Sequence, residues 1–365
     1  MSTKKLNAVN ADIGDYLKFF AVTAVISQPI LTMALATHPS PHASVGIGIV
    51  FCLVKYTAPA FIFGILYTTI RTTLPNRVQY HQYLSNTWHA LFVPTIWWTL
   101  VYLIFLPWVQ QSSHYHDVGT FLWNFVNGNA APHMWYNTMM LQFIILMPIF
   151  WGIGHWVEDN FERGVMVLIG SLILTAIWLG FFDTQIFRGP HASDWYLFDR
   201  LFVSFLIYAI GGLLAWQFNT RFKNFLRQYW PWLFVLAAGA FYWTNQELFS
   251  YARPLNLANA AYYKPSTMIY ALLIILLVSA LANFQIEHRM PFTNVVHNIA
   301  NFAYKAFLSN VFWSQLIWKS FGQKLTINNT GLGVIVTYLL TLILSFLSAY
   351  VINSIWSRIK PKTFK

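Results

Sequence analysis

The residues best suited to chemistry stand together at the start of an apolar segment, in the stretch His133-Met134-Trp135-Tyr136. A histidine titrates near neutral pH and can take a proton from a hydroxyl group. Trp135 and Tyr136 offer rings on which a sugar can stack, and Pro148 predicts a kink further along the same segment. This pattern indicates a polar and aromatic mouth beside His133, although it is also typical of an aromatic belt that only anchors a helix in a membrane.

Two lysines, Lys55 and Lys305, fall inside apolar segments. An unpaired charge at the centre of a bilayer costs at least ~2.5–3.5 kcal/mol on insertion scales, so both side chains should face protein or water. Each lysine either binds an anionic group in a cavity or extends its ammonium to the membrane interface.

No pattern in the sequence predicts a metal site. His114, His116 and Asp117 resemble a ligand cluster only loosely, and we expect a solvated loop there. Cys52 is the single cysteine, which excludes an intramolecular disulfide and a cysteine metal cluster. The sequence also lacks the GxSxG, HExxH, Walker and GxGxxG motifs of soluble hydrolases, zinc proteases and nucleotide-binding proteins.

The composition places the chain in a membrane. Of its 365 residues, 57% are hydrophobic and only 9% are charged, against roughly a quarter charged in soluble domains. The net charge of +11 is scattered between apolar segments instead of forming the basic face of a nucleic-acid binder. We therefore expect the lipid bilayer as a partner, and no nucleic acid.

Ten apolar segments approach the length of about twenty residues that a helix needs to cross the hydrocarbon core. The sequence thus predicts an all-α, polytopic bundle of about ten transmembrane helices, forming one domain over residues 1–365. The segments are Tyr16–Ala36, Val45–Ile70, Trp88–Val109, Met134–Trp156, Val165–Phe182, Leu201–Phe218, Trp230–Phe249, Thr267–Phe284, Ile299–Phe321 and Leu332–Trp356.

The distribution of basic residues predicts the orientation. With the N-terminus inside, most of the Lys and Arg residues beside the segments fall on the cytoplasmic side, as the positive-inside rule requires. The outer loop over residues 110–132 has neither Lys nor Arg. We predict a multi-pass plasma-membrane protein with both termini in the cytoplasm.

Four short motifs follow one another in a fixed order along the chain. The strongest is His133-x-Trp135-Tyr136 followed by Gln142 and Pro148. The others are the stretches Asp15–Val22, Tyr208–Gly212 and Tyr304–Asn310. Together they resemble the acyltransferase 3 family of integral membrane O-acyltransferases, which modify cell-envelope polysaccharides.

The resemblance implies that an acyl group, acetyl or succinyl, moves from a cytoplasmic acyl-CoA donor to a hydroxyl of an envelope glycan. His133 would orient or deprotonate the acceptor, and Trp135 with Tyr136 would contact the sugar. Lys18 or Lys55 would draw a phosphate of the donor inward.

The sequence departs from the family where its chemistry matters. The first-span histidine that serves the family as general base corresponds to Pro29 beside Gln28, and neither residue can take a proton. The histidine usual near the penultimate span corresponds best to Asn310. We therefore assign Gln28, Asn310 and Lys305 as substrate-binding positions and His133 as the catalytic one.

Two alternatives stay open. The chain could keep the fold without the reaction, and export or bind a glycan or a lipid-linked intermediate, or support a partner enzyme. It could also be an unrelated transporter, a class in which inverted repeats with paired broken helices are expected. The sequence shows no convincing internal repeat, and it does not define an oligomeric state.

Overall fold

The computed structural model describes residues 11–111, 114–251 and 255–359. In these ranges the chain forms sixteen α-helices and no strand, which confirms the all-α prediction. The helices are α1 (Ile13–Val25), α2 (Ser27–Leu35), α3 (Pro41–Leu53), α4 (Thr57–Thr73), α5 (Tyr80–Thr87), α6 (Val93–Phe105), α7 (Val118–Asn127), α8 (Met134–Ile145), α9 (Met147–Val157), α10 (Phe161–Phe182), α11 (Leu206–Gln217), α12 (Asn219–Tyr251), α13 (Pro265–Glu287), α14 (Phe292–Ile317), α15 (Gln323–Asn328) and α16 (Thr330–Ile359). Short π-helical turns extend α10 and α14 and precede α6, and four 3₁₀ turns lie in the connections.

Six to eight helical segments of the described chain are long and apolar enough to cross a membrane. Six are single spans: Ile13–Leu35, Pro41–Thr73, Tyr80–Phe105, Phe161–Phe187, Pro265–Glu287 and Thr330–Ile355. Two more are bent pairs, α8 with α9 at 54° and Phe202–Gln217 with Asn219–Ser250 at 103°. The protein is thus a multi-pass membrane protein, while the count of ten and the orientation stay predictions.

The ninth predicted span falls on α14, which does not qualify by hydropathy. This helix carries polar residues such as Asn298, Asn301 and Asn310 along its length. It packs against α1, α6 and α16, so protein covers much of its surface. A helix surrounded by other helices can keep polar side chains that lipid would exclude, which explains its weak apolar signal.

Three helical rods, each made of two consecutive α-helices, are interrupted close to a proline. α1 and α2 are separated at Ile26 before Pro29, and α3 and α4 at residues 54–56 before Pro59. α8 and α9 meet at Leu146 before Pro148, which confirms the kink predicted there. Proline lacks the N–H that would bond four residues back, so each interruption frees a backbone carbonyl.

Small residues allow the central helices to approach closely. A Cβ at Gly212 on α11 would overlap the carbonyl oxygen of Phe63 on α4. A Cβ at Gly14 on α1 would lie 2.8 Å from the carbonyl oxygen of Gly64 on α4. Helices in membranes associate through such small residues because van der Waals packing replaces the hydrophobic effect. α4 is thereby held between α1 and α11.

The outer helices present apolar side chains outward. Large exposed side chains follow α10, α12 and α16, including Ile177 at 65% exposure, Trp232 at 68% and Ile343 at 58%. A soluble monomer rarely exposes such continuous apolar surface. Lipid contact accounts for it.

Candidate functional site

A cavity of about 1410 Å³ lies where the interrupted rods meet the start of α8 and the middle of α14. Its lining includes residues of α2, α4, α8 and α14 and of the loop between α12 and α13. His38, Pro132 and Asn256 line it and are exposed, so it opens on the side of the loops that precede α3, α8 and α13. This is the side that the sequence predicts to be external.

Six of the eight predicted site residues line this cavity: Gln28, Lys55, His133, Trp135, Tyr136 and Asn310. They come from distant parts of the chain, and only folding brings them together. The other two, Lys18 and Lys305, do not line it.

His133 stands at the N-terminal cap of α8 and is 92% buried. Its Nε2 lies 3.2 Å from the carbonyl oxygen of Leu308 on α14. A carbonyl only accepts, so Nε2 carries the proton and Nδ1 holds a free lone pair. Nδ1 has no hydrogen-bond partner within the described chain. His133 precedes the span that begins at Met134, and its burial lowers its pKa to about 4, which keeps the ring neutral at pH 7.

Two further cavity residues bury polar atoms without partners. Asn310 is 1% exposed, and neither its amide nitrogen nor its amide oxygen is hydrogen-bonded to any described residue. Tyr136 is 3% exposed, and its hydroxyl is likewise unpartnered among those residues. Buried polar groups are nearly always satisfied by protein, water or ligand, so these three residues present hydrogen-bonding groups to a polar ligand or to water in the cavity.

Tyr102 on α6 fixes His133 against α14. Its hydroxyl donates to the carbonyl oxygen of Leu308 at 2.7 Å and accepts from the backbone N–H of Phe312 at 3.1 Å. It therefore bridges the i and i+4 backbone groups that pair in a regular helix. The same Leu308 oxygen receives His133 Nε2, and the Tyr102 and His133 rings lie edge to face at 5.2 Å. Tyr102 thus positions the imidazole and the turn of α14 that carries Asn310.

Gln28, Thr57 and Tyr262 form a hydrogen-bonded group in another part of the cavity lining. Gln28 Nε2 donates to the carbonyl oxygen of Val54 and to Thr57 Oγ1, both at 3.0 Å. Thr57 Oγ1 lies 3.0 Å from the hydroxyl of Tyr262. The Gln28 amide binds the carbonyl at the interruption between α3 and α4, so it holds the two interrupted rods together.

Three aromatic rings pack together at the cavity, and those of Trp135 and Tyr262 line it. The ring centroids of Trp135 and Tyr262 are 5.7 Å apart, and Phe205 lies about equally close to both, at 6.0 and 5.9 Å. Trp135 is half-buried and accessible from the cavity. A flat, partly exposed ring of this kind suits stacking against the apolar face of a sugar.

A buried arginine organises the mouth. Arg200, 4% exposed, donates from Nε to Asp199 Oδ1 at 2.9 Å, from Nη1 to Asn129 Oδ1 at 2.6 Å and from Nη2 to Gln111 Oε1 at 2.8 Å. Gln111 in turn donates to the carbonyl oxygen of Pro132, next to His133. Burial raises the pKa of Asp199, against the lowering effect of Arg200. The network holds the loop in front of α8 in place.

Gln142, singled out in the sequence beside Pro148, belongs to the same support. Its Nε2 donates to the carbonyl oxygen of Arg200 at 2.7 Å, and its Oε1 accepts from the N–H of Phe202 at 3.1 Å. It joins α8 to the loop before α11.

Lys18 and Lys305 lie elsewhere. Lys18 Nζ is 3.7 Å from Asp15 Oδ1 near the start of α1. Lys305 donates to Asn353 Oδ1 on α16. Both ammonium groups therefore have protein partners outside the cavity, and their binding roles stay predictions.

The loop histidines outside the site form no three-residue ligand cluster in the part of the chain that the structure describes. No group of three or more His, Cys, Asp or Glu residues in the described chain has the arrangement of a metal site. Asp117 caps α7 by accepting from the N–H of Thr120 at 2.8 Å, and His116 lies beside it at 3.4 Å.

Sequence reasoning missed Tyr102, Thr57 and Tyr262. Spacing does not mark Thr57, because residues two positions apart, such as Lys55 and Thr57, do not share a helix face. Nothing in the sequence links Tyr102 to His133, because their contact depends on how α6, α8 and α14 pack.

The family model of an acyltransferase domain, that of the acyltransferase 3 family, matches residues 14–353 of this chain. No curated protein gives a significant match. No solved structure gives one either.

Proposed function

Since the chain belongs to the acyltransferase 3 family and so to a class of membrane acyl-transfer proteins, we propose that its cavity moves an acyl group from cytoplasmic acyl-CoA to a hydroxyl of an envelope glycan. The acyl group is acetyl or succinyl, and the membrane is the plasma membrane. One observation carries this proposal: His133, Tyr136 and Asn310 bury unpartnered polar atoms in the lining of one cavity.

The chemistry follows from the free lone pair of His133. The acceptor hydroxyl donates its proton to Nδ1 while its oxygen attacks the thioester carbonyl carbon, forming the C–O bond. The C–S bond then breaks, and the thiolate leaves as CoA and takes up the proton from the imidazolium. Nε2 stays bonded to Leu308, which keeps the ring in the tautomer that the first step needs.

Tyr136 and Asn310 suit the charge that develops on the thioester oxygen. A phenol hydroxyl and an amide N–H both donate, and neither is used within the described protein. Donors held in place before the reaction stabilise an oxyanion without reorganising. Trp135 supplies the surface against which the acceptor sugar stacks.

The test is acyl transfer by the full-length protein in nanodiscs, with acetyl-CoA and succinyl-CoA as donors and host envelope glycan as acceptor. Mass spectrometry of glycan from a deletion strain and a complemented strain provides the matching measurement in cells. We expect ester-linked acyl groups only where the intact protein is present. Identical acylation in both strains, together with no transfer in nanodiscs, would contradict the proposal.

A second function uses the same cavity without the reaction. Pro29 and Gln28 stand where the family has its base, and the Gln28 amide is engaged by Val54, Thr57 and Tyr262. In this case the protein binds or exports a glycan or a lipid-linked intermediate, or supports a partner enzyme. Glycan binding in nanodiscs without any ester formation would favour it.

A further inference from the structure

Lys55 brings a positive charge into the cavity. It lies at the interruption between α3 and α4, inside the apolar span Pro41–Thr73. Among the described residues that line the cavity, it is the only Lys or Arg. A lysine at this depth is a functional-site hypothesis unless a protein partner accounts for it.

No carboxylate pairs with Lys55 in the described chain. Its ammonium instead lies 4.2 Å from the ring centroid of Tyr262 and 4.9 Å from that of Phe51. Aromatic faces attract a cation, but they do not neutralise it. Within the described part of the chain, the charge is therefore held in place by aromatic rings and not by a counter-ion.

Two acids share a pocket with Lys55, and both have cationic partners already. Asp199, which also lines the cavity, is paired with Arg200 at 2.9 Å. Glu247, which shares a small neighbouring pocket with Lys55, lies 3.3 Å from Lys264 and accepts from Ser266. Each acid therefore already has a cationic partner other than Lys55.

We propose that the acceptor is an acidic sugar whose carboxylate or phosphate binds Lys55, an inference that rests on the proposed function and narrows its substrate class. Trp135 and Lys55 both lie beside Tyr262, one at 5.7 Å and the other at 4.2 Å between group centres. A single sugar can therefore stack on Trp135 and reach Lys55 with an acidic substituent. The cavity opens on the predicted external side, from which the acceptor arrives.

The test compares acidic sugars with uncharged counterparts that keep the other hydroxyls. The ligands are methyl glucuronoside and methyl galacturonoside, each against its carboxyl methyl ester, and glucose 6-phosphate against glucose. Dissociation constants are measured by calorimetry on the full-length protein in nanodiscs. A charged hydrogen bond predicts that at least one acidic ligand binds roughly tenfold or more tightly than its counterpart.

The variants separate charge from shape. Lys55→Met should remove the preference for the acid, and Lys55→Arg should keep it because the charge is retained. Lys324→Met, at an exposed lysine remote from the cavity lining, is the matched control and should bind like the wild type. The comparison of acidic with neutral ligands on the wild type needs no variant, so it tests the proposal even if Lys55→Met does not give monodisperse protein.

Three results overturn the proposal: equal binding of every acidic and neutral pair by the wild type, an acid preference that survives in Lys55→Met, and an effect on the donor alone. The effect on the donor is measured by comparing the binding of CoA with that of 3′-dephospho-CoA. If Lys55→Met abolishes discrimination between these two but leaves the sugar preference intact, the anion belongs to the donor.

The two proposals fail in different ways. Acid-selective binding without transfer of an acyl group leaves the Lys55 site standing and contradicts the proposed function. Acyl transfer to neutral and acidic sugars with equal efficiency supports the function and overturns the acidic acceptor.

Discussion

The polar residues at the two ends of the α1–α4 pair differ in whether they have partners within the protein. Arg71 lies fourteen residues after Thr57 on α4, or about 21 Å along the helix axis. At the Arg71 end, the carboxylates of Asp12 and Asp15 both have cationic or histidine partners, although Arg71 Nε has no hydrogen-bond partner among the described residues. At the Thr57 end, the cavity holds a cation and several polar atoms that have no partner among those residues. The contrast separates residues that stabilise the fold from residues that await a ligand.

The Arg71 end, the paired cluster, consists of Asp12, Asp15, Lys18, Arg71 and His297. Asp12 and Asp15 form a capping box at the start of α1. Arg71 Nη2 lies 2.8 Å from Asp12 Oδ2, and His297 Nδ1 lies 2.7 Å from Asp15 Oδ2. The cluster joins α1 to α4 and α14, so we expect its loss to affect stability more than binding.

The largest effect is expected for His133→Ala. Removing a general base typically costs about 100-fold or more in rate, so kcat should fall by at least that factor in the nanodisc assay. Binding of the sugar should change little. His155→Ala, at an exposed histidine whose Nδ1 lies 2.8 Å from the Trp151 carbonyl oxygen, is the control and should keep full activity. Unchanged polysaccharide acylation in a strain that carries His133→Ala would refute the assignment.

Asp12→Ala probes the paired cluster. It removes both the cap of α1 and the partner of Arg71, so we expect a loss of about 1–3 kcal/mol in the free energy of unfolding. Titration with denaturing detergent measures it, while kcat per folded molecule should stay near that of the wild type. Asp117→Ala removes an exposed cap of the same kind from α7 and should cost less. Equal losses for the two variants would mean that the Arg71 contact contributes nothing.

Asn310→Leu tests the cavity end, where we expect a loss of activity without a loss of stability. Replacing a buried amide that lacks partners with an apolar side chain of similar volume should leave the melting temperature unchanged or raise it. The loss of a donor to the substrate should lower kcat/KM by roughly tenfold. A fall in both stability and activity would indicate that the Asn310 amide has a structural role.

The smallest effect concerns pH. Because burial lowers the pKa of His133 to about 4, the ring stays neutral and able to accept a proton well below pH 6. We expect the part of kcat/KM that depends on His133 to be constant from pH 8 to about pH 5 and to fall only as the pH approaches 4. A rate profile with its acid limb near pH 6.5, the ordinary histidine value, would show that His133 is not buried when it reacts.

The sequence predicted features that depend on local pattern. Composition indicated the helical membrane fold, and Pro148 predicted the bend between α8 and α9. His133 and Trp135 were found from their spacing, and Lys55 from the cost of a charge in an apolar segment. Each of these signals lies within one stretch of chain.

What the sequence could not predict depends on packing between distant helices. Lys18 and Lys55 looked alike, since both are lysines near span ends or within spans. Their difference lies in their neighbours: Asp15 pairs with Lys18, whereas aromatic rings surround Lys55. Tyr102 and Tyr262 gain their roles only when α6 and the loop before α13 reach the cavity. The number of spans also depends on packing. Neighbouring helices shield the polar side of α14, so hydropathy alone does not show whether this helix is a span.

The polar character of α14 also bears on how the protein is made. Its Lys305, Ser309 and Trp313 meet Asn353, the Ser345 carbonyl and Ser348 of α16, which is made after α14. Until α16 emerges, these groups of α14 lack their partners, and hydrocarbon offers no substitute. The bundle therefore cannot close before α16 has been made, and chains truncated ahead of α16 should be recognised as unassembled and degraded by membrane quality control.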